Sequence, residues 1–155
     1  MTDDRPTILL LNGPNLHLLG LREPHIYGTA SLDDHVARAR AAAEARGFAL
    51  EHLQSNHSGD LVDAITAARG RCAAIVINGG AFTHYAWAIH DALAAFDGAI
   101  VELHISNPEG REPWRRTSVL SPVAHGIVQG FGGDGYDLAV DGAARLVAGR
   151  GGASS

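Results

Sequence analysis

The sequence predicts an α/β protein: a doubly wound parallel sheet with helices on both faces. Strand-like and helix-like segments alternate about five times along 155 residues. The strand-like segments at 8–11 and 73–77 are nearly unbroken aliphatic runs, as expected of strands covered on both sides. Right-handed crossovers between such strands distribute the connecting helices over the two faces.

Taken in order, Ile8-Leu-Leu-Leu11 is a buried strand that stops at the turn Asn12-Gly-Pro14. The connection that follows is longer than a usual strand-to-helix loop. It carries Arg22 and Tyr27 between the glycines Gly20 and Gly28, the makeup of an active-site lid, with a plain surface loop as the other reading. Ser31 caps a helix with Asp33 and Asp34 in its first turn. Leu32, Val36, Ala39 and Ala43 form its inward stripe, and Gly47 ends it. Residues 48–54 read as a strand, and 60–69 as a helix with Leu61, Val62 and Ile65 at helical spacing. Residues 73–78 are a strand, and the turn 79–83 leads to a helix reaching about Ala95. A strand at 99–105, the polar segment 106–117, a short strand at 124–129 and a helix at 136–148 complete one catalytic domain, 1–148. The glycine-rich residues 149–155 are expected to be a disordered tail.

Composition narrows the function. A net charge of -5 argues against a nucleic-acid partner, which needs a basic face. No apolar run approaches the ~18 residues of a membrane span, and the start lacks a signal peptide's pattern, so a cytoplasmic protein with no membrane partner is expected. Cys72 is the single cysteine, which precludes a disulfide within the chain and suits buried packing. All 12 basic side chains are arginines. Without lysine, neither a Schiff base nor a Walker-type phosphate lysine is possible.

Ligands of doubly wound sheets bind beyond the carboxyl ends of the strands. The polar residues there are Asn12, Asn15, Gln54, Asn78, His104 and Ser106, on the edge from which the lid-like loop departs. Strand alternation puts Glu102, His104 and Ser106 on one face, where the glutamate can orient the imidazole for general acid catalysis; a structural histidine is the plainer alternative. Arg111, Arg115 and Arg116 offer cationic forks to an anionic or polyhydroxylated ligand. Tyr27 as a base needs a pKa well below ~10, and Arg22 is placed in sequence to lower it. Nine histidines raise the question of a metal, but none has helical spacing to a second with a carboxylate partner; His17, His25, His35 and His52 are expected at the surface. Gly130-Phe-Gly-Gly-Asp-Gly135 has the dinucleotide pattern without the later acidic strand, and reads better as a turn.

Several separated stretches carry a resemblance: Asn12-Gly-Pro-Asn-Leu16, Leu21-Arg-Glu-Pro-His-Ile-Tyr-Gly28, Gln54-Ser-Asn-His57, 78–84, Glu102-Leu-His-Ile-Ser-Asn107 and 111–118. Together they resemble the type II 3-dehydroquinate dehydratases over about residues 7–148. The resemblance implies a flavodoxin-like five-stranded fold, dodecamers built of trimers, and loss of water from 3-dehydroquinate to give 3-dehydroshikimate. It implies anti elimination through an enolate, with no cofactor and no metal. By position, Tyr27 would be the base, Arg22 its lid arginine, Asn15 the holder of an enolate-stabilising water, and His104, backed by Glu102, the acid. Asn78 with the backbone of Ile105 and Ser106 would hold the carboxylate. His84, Arg115 and a neighbouring subunit's Asp91 would bind hydroxyls, and Arg111 would also line the substrate site. The chain departs from the family pattern at Gly79-Gly-Ala-Phe82, at Tyr85-Ala-Trp87, and at His90, Ser58, Asp134 and Asp137. A non-catalytic flavodoxin-like module for flavin or nucleotide is the rival reading, but no Ser/Thr-Gly-rich phosphate loop follows the first strand. A relative recruited to a related hydroxy acid is a third.

Overall fold

A computed structural model describes residues 3–21 and 23–153, the side chains at 27, 152 and 153 excepted. Its strands are β1 (Thr7–Asn12), β2 (Ala49–Gln54), β3 (Ala74–Asn78), β4 (Ala99–His104) and β5 (Gly126–Gln129). They form one parallel sheet in the order β2-β1-β3-β4-β5, the flavodoxin-like doubly wound arrangement. The helices are α1 (Pro24–Tyr27), α2 (Leu32–Ala45), α3 (Ser58–Ala68), α4 (Trp87–Ala94) and α5 (Asp134–Ala153). Two apolar layers result. One packs α2 and α5 on Ile8, Leu10, Val76, Val101 and Leu103. The other packs α3 and α4 on Leu9, Leu11, Ile75, Ile77 and Ile100.

Register positions the polar strand ends. Asn12 stands opposite both Gln54 and Asn78, so three amide side chains close the adjacent strands in one row. Alternation places Asn12 and Asn78 with the α2/α5 layer, while Glu102, paired with Ile77, points to the α3/α4 side. The turns after β1 and β3 meet closely: a Cβ on Gly13 would lie 2.2 Å from the Gly79 carbonyl oxygen, so only glycine permits the approach. Both turns sit where the strand order reverses, between β1 and β3.

Local chemistry explains the first long helix. Ser31 Oγ accepts from the Asp34 amide at 3.1 Å, and Asp34 Oδ2 accepts from the Ser31 amide at 3.0 Å, a reciprocal cap. The unusual acids Asp134 and Asp137 both bind Arg38, at 2.8 and 2.9 Å, and tie the start of α5 to α2. Three expectations need revision. Helix α5 starts earlier and continues to Ala153, across residues read as a tail; Arg150 anchors it by donating to the Asp97 carbonyl at 3.0 Å. His35 is buried, stacked on Tyr136 at 5.3 Å between centroids, with Gly133 leaving room for the ring. His52 is half-buried, because its Nε2 meets the Asn12 amide at 3.0 Å. The pattern at 130–135 is a turn that runs into α5 at Asp134, with positive φ at Gly130 and Gly132, whose amides donate to the His104 and Ile105 carbonyls.

Candidate active site

A cleft opens at the carboxyl ends of β1, β3 and β4. Asn15 and Leu16 line it from the β1 connection, Asn78 and His84 from β3 and its following turn. His104, Ile105, Ser106, Arg111 and Arg115 close the other side. Asn15 holds a left-handed backbone, φ 66°, which asparagine tolerates better than most residues. Its amide donates to Asn56 Oδ1 at 3.0 Å, and Gln54 Nε2 donates to the same oxygen at 3.2 Å and to the Gly13 carbonyl at 3.1 Å. The Gln54-Ser-Asn56 segment therefore holds the β1 turn in shape.

Beneath the cleft, His104 Nε2 donates to Glu102 Oε2 at 2.6 Å. Glu102 is 1% exposed and also accepts from Ser118 Oγ at 2.8 Å and from Ser121 Oγ. Burial alone would raise its carboxyl, but the hydrogen bonds from His104 and Ser121, the His104 charge and the Ser118 hydroxyl outweigh it. The group titrates below the ordinary glutamate range. A fixed carboxylate on Nε2 leaves Nδ1 as the atom that can carry a proton to a ligand. Ser118 further accepts from the Leu120 and Ser121 amides at 3.1 and 3.0 Å, which locks the loop under the pair.

His84 Nδ1 donates to the Thr117 carbonyl at 2.6 Å. Burial is the main cause of its lowered pKa, so the neutral ring keeps Nε2 as an acceptor. Trp114 meets His84 edge-on at 5.1 Å and carries the Arg115 guanidinium 4.1 Å from its centroid, and Glu112 also holds Arg115. Arg111 donates to Ser106 Oγ at 3.2 Å and lies 3.9 Å from Glu23 of the β1 connection. The arrangement offers a proton carrier, neutral amides and two guanidinium groups to one small oxygen-rich anion. Among the described residues, no group of three or more His, Cys, Asp or Glu side chains is placed to hold a metal.

The dehydroquinase class II family model matches residues 6–144. The chain belongs to the class II dehydroquinase family. It is 56% identical to the catabolic 3-dehydroquinase of Aspergillus clavatus over 87% of this chain and 90% of that protein. It is 48% identical to a 3-dehydroquinate dehydratase of Pseudomonas putida, covering 92% and 96%. The type II dehydroquinase crystal structure from Butyrivibrio crossotus superimposes with a TM-score of 0.86 at 42% identity, covering 88% and 96%.

Within this class II dehydroquinase chain, the cleft gathers Asn15, Asn78, His84, His104, Ile105, Ser106, Arg111 and Arg115, with Glu102 directly behind His104. Asp91 is not among the cleft residues; it is exposed on α4. Arg22 and the Tyr27 side chain lie outside the described residues. Sequence reasoning overlooked Ser118 and Ser121 as the donors to Glu102, although a buried strand carboxylate calls for such partners. It also overlooked Tyr136, which stands behind Asn78.

Proposed function

We propose that this chain removes water from 3-dehydroquinate to give 3-dehydroshikimate, with the cleft at the ends of β1, β3 and β4 as its active site. The carrying observation is the Glu102–His104 pair in one cleft with Asn15, Asn78, His84, Arg111 and Arg115, in a chain of this family. The relatives' names support the same substrate.

Tyr27, as phenolate, takes the C2 proton, and Arg22 holds its pKa down. Tyr136 is a poor candidate for that role, because burial pushes its phenol above the ordinary range. The electron pair from C2 forms an enolate with the C3 carbonyl, stabilised by a water on Asn15. The enolate collapses to C1=C2, the C1–O bond breaks, and His104 Nδ1 gives the departing hydroxyl its proton. Asn78 and the Ile105 and Ser106 backbone hold the carboxylate, and His84, Arg111 and Arg115 bind the remaining oxygens. We assign Asp91 to a neighbouring subunit's site. It is exposed on α4 near Tyr85 and Trp87, which are 60% and 61% exposed and suit an interface. Dodecamers of trimers in the cytoplasm, working without cofactor, follow from the family resemblance. Biosynthetic and catabolic use need the same reaction.

Adding 3-dehydroquinate to the purified protein should give rising enone absorbance that survives chelator and borohydride. No enone with intact protein, or covalent inactivation by borohydride in the presence of substrate, would reject the reading. Sedimentation showing a fully active monomer would remove Asp91 from the site.

A further inference from the structure

Asn78 reaches the cleft from β3, and its amide is held by Gly80, which also lines the cleft, and by Tyr136, which does not. Its Nδ2 donates to the Tyr136 hydroxyl at 3.2 Å, while its Oδ1 accepts from the Gly80 amide at 3.3 Å. Tyr136 comes from the first turn of α5, is fully buried, and is not among the cleft residues. Its single hydroxyl proton goes to Asn12 Oδ1 at 2.5 Å. Asn12 Nδ2 in turn meets His52 Nε2 at 3.0 Å.

This chain has a direction. A phenol has one proton to donate, and Asn12 takes it, so Tyr136 can only accept from Asn78. The Asn78 amide therefore keeps its nitrogen toward Tyr136, and its second N–H remains for the cleft. An N–H suits a carboxylate oxygen, whereas the flipped amide would present a carbonyl oxygen to the same anion and repel it. Burial keeps the Tyr136 phenol protonated and the His52 ring neutral, and both conditions are needed for this direction.

We propose that Tyr136 is a positioning residue of the substrate site: its hydroxyl, committed to Asn12, fixes the Asn78 amide with an N–H donor turned to the substrate carboxylate. This rests on the reading of Asn78 as a carboxylate ligand. It assigns a function in binding to a tyrosine that touches no substrate, and makes Asn12 part of the same device.

The test is a double-mutant cycle read in KM and kcat. Tyr136→Phe removes only the hydroxyl, so KM for 3-dehydroquinate should rise roughly tenfold or more with kcat changed much less. Asn78→Ala should raise KM at least as far. In the double variant, loss of the hydroxyl should add little, because its target is gone. Circular dichroism and melting curves establish that each variant is folded. If Tyr136→Phe does not fold, Asn12→Ala gives the same reading, since a released Tyr136 proton can turn to Asn78 Oδ1 and flip the amide. Additive KM effects, or a normal KM in Tyr136→Phe beside a raised KM in Asn78→Ala, would overturn the positioning role alone. A normal KM in Asn78→Ala would remove Asn78 from carboxylate binding, and the positioning role with it.

Discussion

Two hydrogen-bonded supports hold the cleft, one on each face of the sheet, and they differ in kind. On the α3/α4 side, the Glu102 carboxylate collects His104, Ser118 and Ser121. On the α2/α5 side, Asn12, Tyr136 and Asn78 form a neutral run that begins at His52. The charged support sits under His104, the proposed donor to the departing hydroxyl, and its value lies in fixing the ring's orientation and tautomer. The neutral support moves no charge; it sets which way an amide faces. On the proposed roles, a single sheet separates proton transfer from ligand orientation, because alternation sends neighbouring strand-end residues to opposite faces. Damage to the first support should appear mainly in kcat, and damage to the second mainly in KM.

The largest expected effect comes from the proton carrier. His104→Ala should lower kcat by about 10²–10⁴-fold with a much smaller change in KM. It should spare exchange of the C2 proton with deuterated solvent more than turnover, provided the enolate forms reversibly. Tyr27→Phe should lose both. If Tyr27→Phe exchanges normally while His104→Ala does not, the two roles are reversed.

Glu102→Gln comes next. It keeps the shape but removes the charge, and its NH₂ must face groups that are already donors. A fall in kcat of roughly 10–100-fold is expected, on the scale of one hydrogen bond to a charged group. A variant with normal kcat and raised KM would collapse the distinction between the supports. Ser121→Ala should act more weakly, removing one of three donors. Because Glu102 is depressed in the folded protein, its stabilising share is present above its unfolded pKa and is lost as pH falls through its folded pKa. Losing a donor raises that folded pKa, so acid unfolding should begin at higher pH and neutral stability should fall by about 1 kcal/mol. Unchanged acid unfolding would mean that Ser121 does not hold the carboxylate.

The two supports were also unequally legible in the sequence. Glu102 and His104 are two residues apart on one strand, so period-two alternation alone pairs them. Asn12 and Asn78 were visible as polar ends of aliphatic runs, and the parallel sheet followed from those runs, whereas the reversal between β1 and β3 shows only in the folded sheet. Tyr136 was not, because its partners lie 58 and 124 residues away and only the packing of α5 over the sheet joins them. Ser118 and Ser121 reach Glu102 from a loop whose path no periodicity encodes. His35 read as a surface residue because a histidine that follows two aspartates on a capped helix usually faces water; here Gly133 leaves a slot for the ring. The helix past Gly149 went unread because glycine ordinarily weakens a helix interior, and the Arg150 anchor on Asp97 is again a distant contact.

The smallest expected effect separates the supports by pH. His35 is 3% exposed and stacks on Tyr136, and neither ring nitrogen has a hydrogen-bond partner among the described residues. Burial is the main cause of its lowered pKa, with Arg38 adding to it against the pull of nearby aspartates. In the unfolded chain it titrates near 6.5. As pH falls through about 6.5, the unfolded state gains a proton that the folded state does not, so stability declines until the lower folded pKa is reached. One such histidine contributes at most about 1.4 kcal/mol per pH unit. His52 and His84 shift in the same direction and add to the slope. The α2/α5 side should therefore weaken in mild acid, where Glu102 is still ionised and the charged support intact. His35→Phe keeps a ring on Tyr136 and removes the titration. Urea unfolding at pH 7 and pH 5.5 should show the variant losing about 1 kcal/mol less than the parent between the two values. Equal losses would mean that His35 takes up its proton without cost in the folded protein, and that the neutral support is no more acid-sensitive than the charged one.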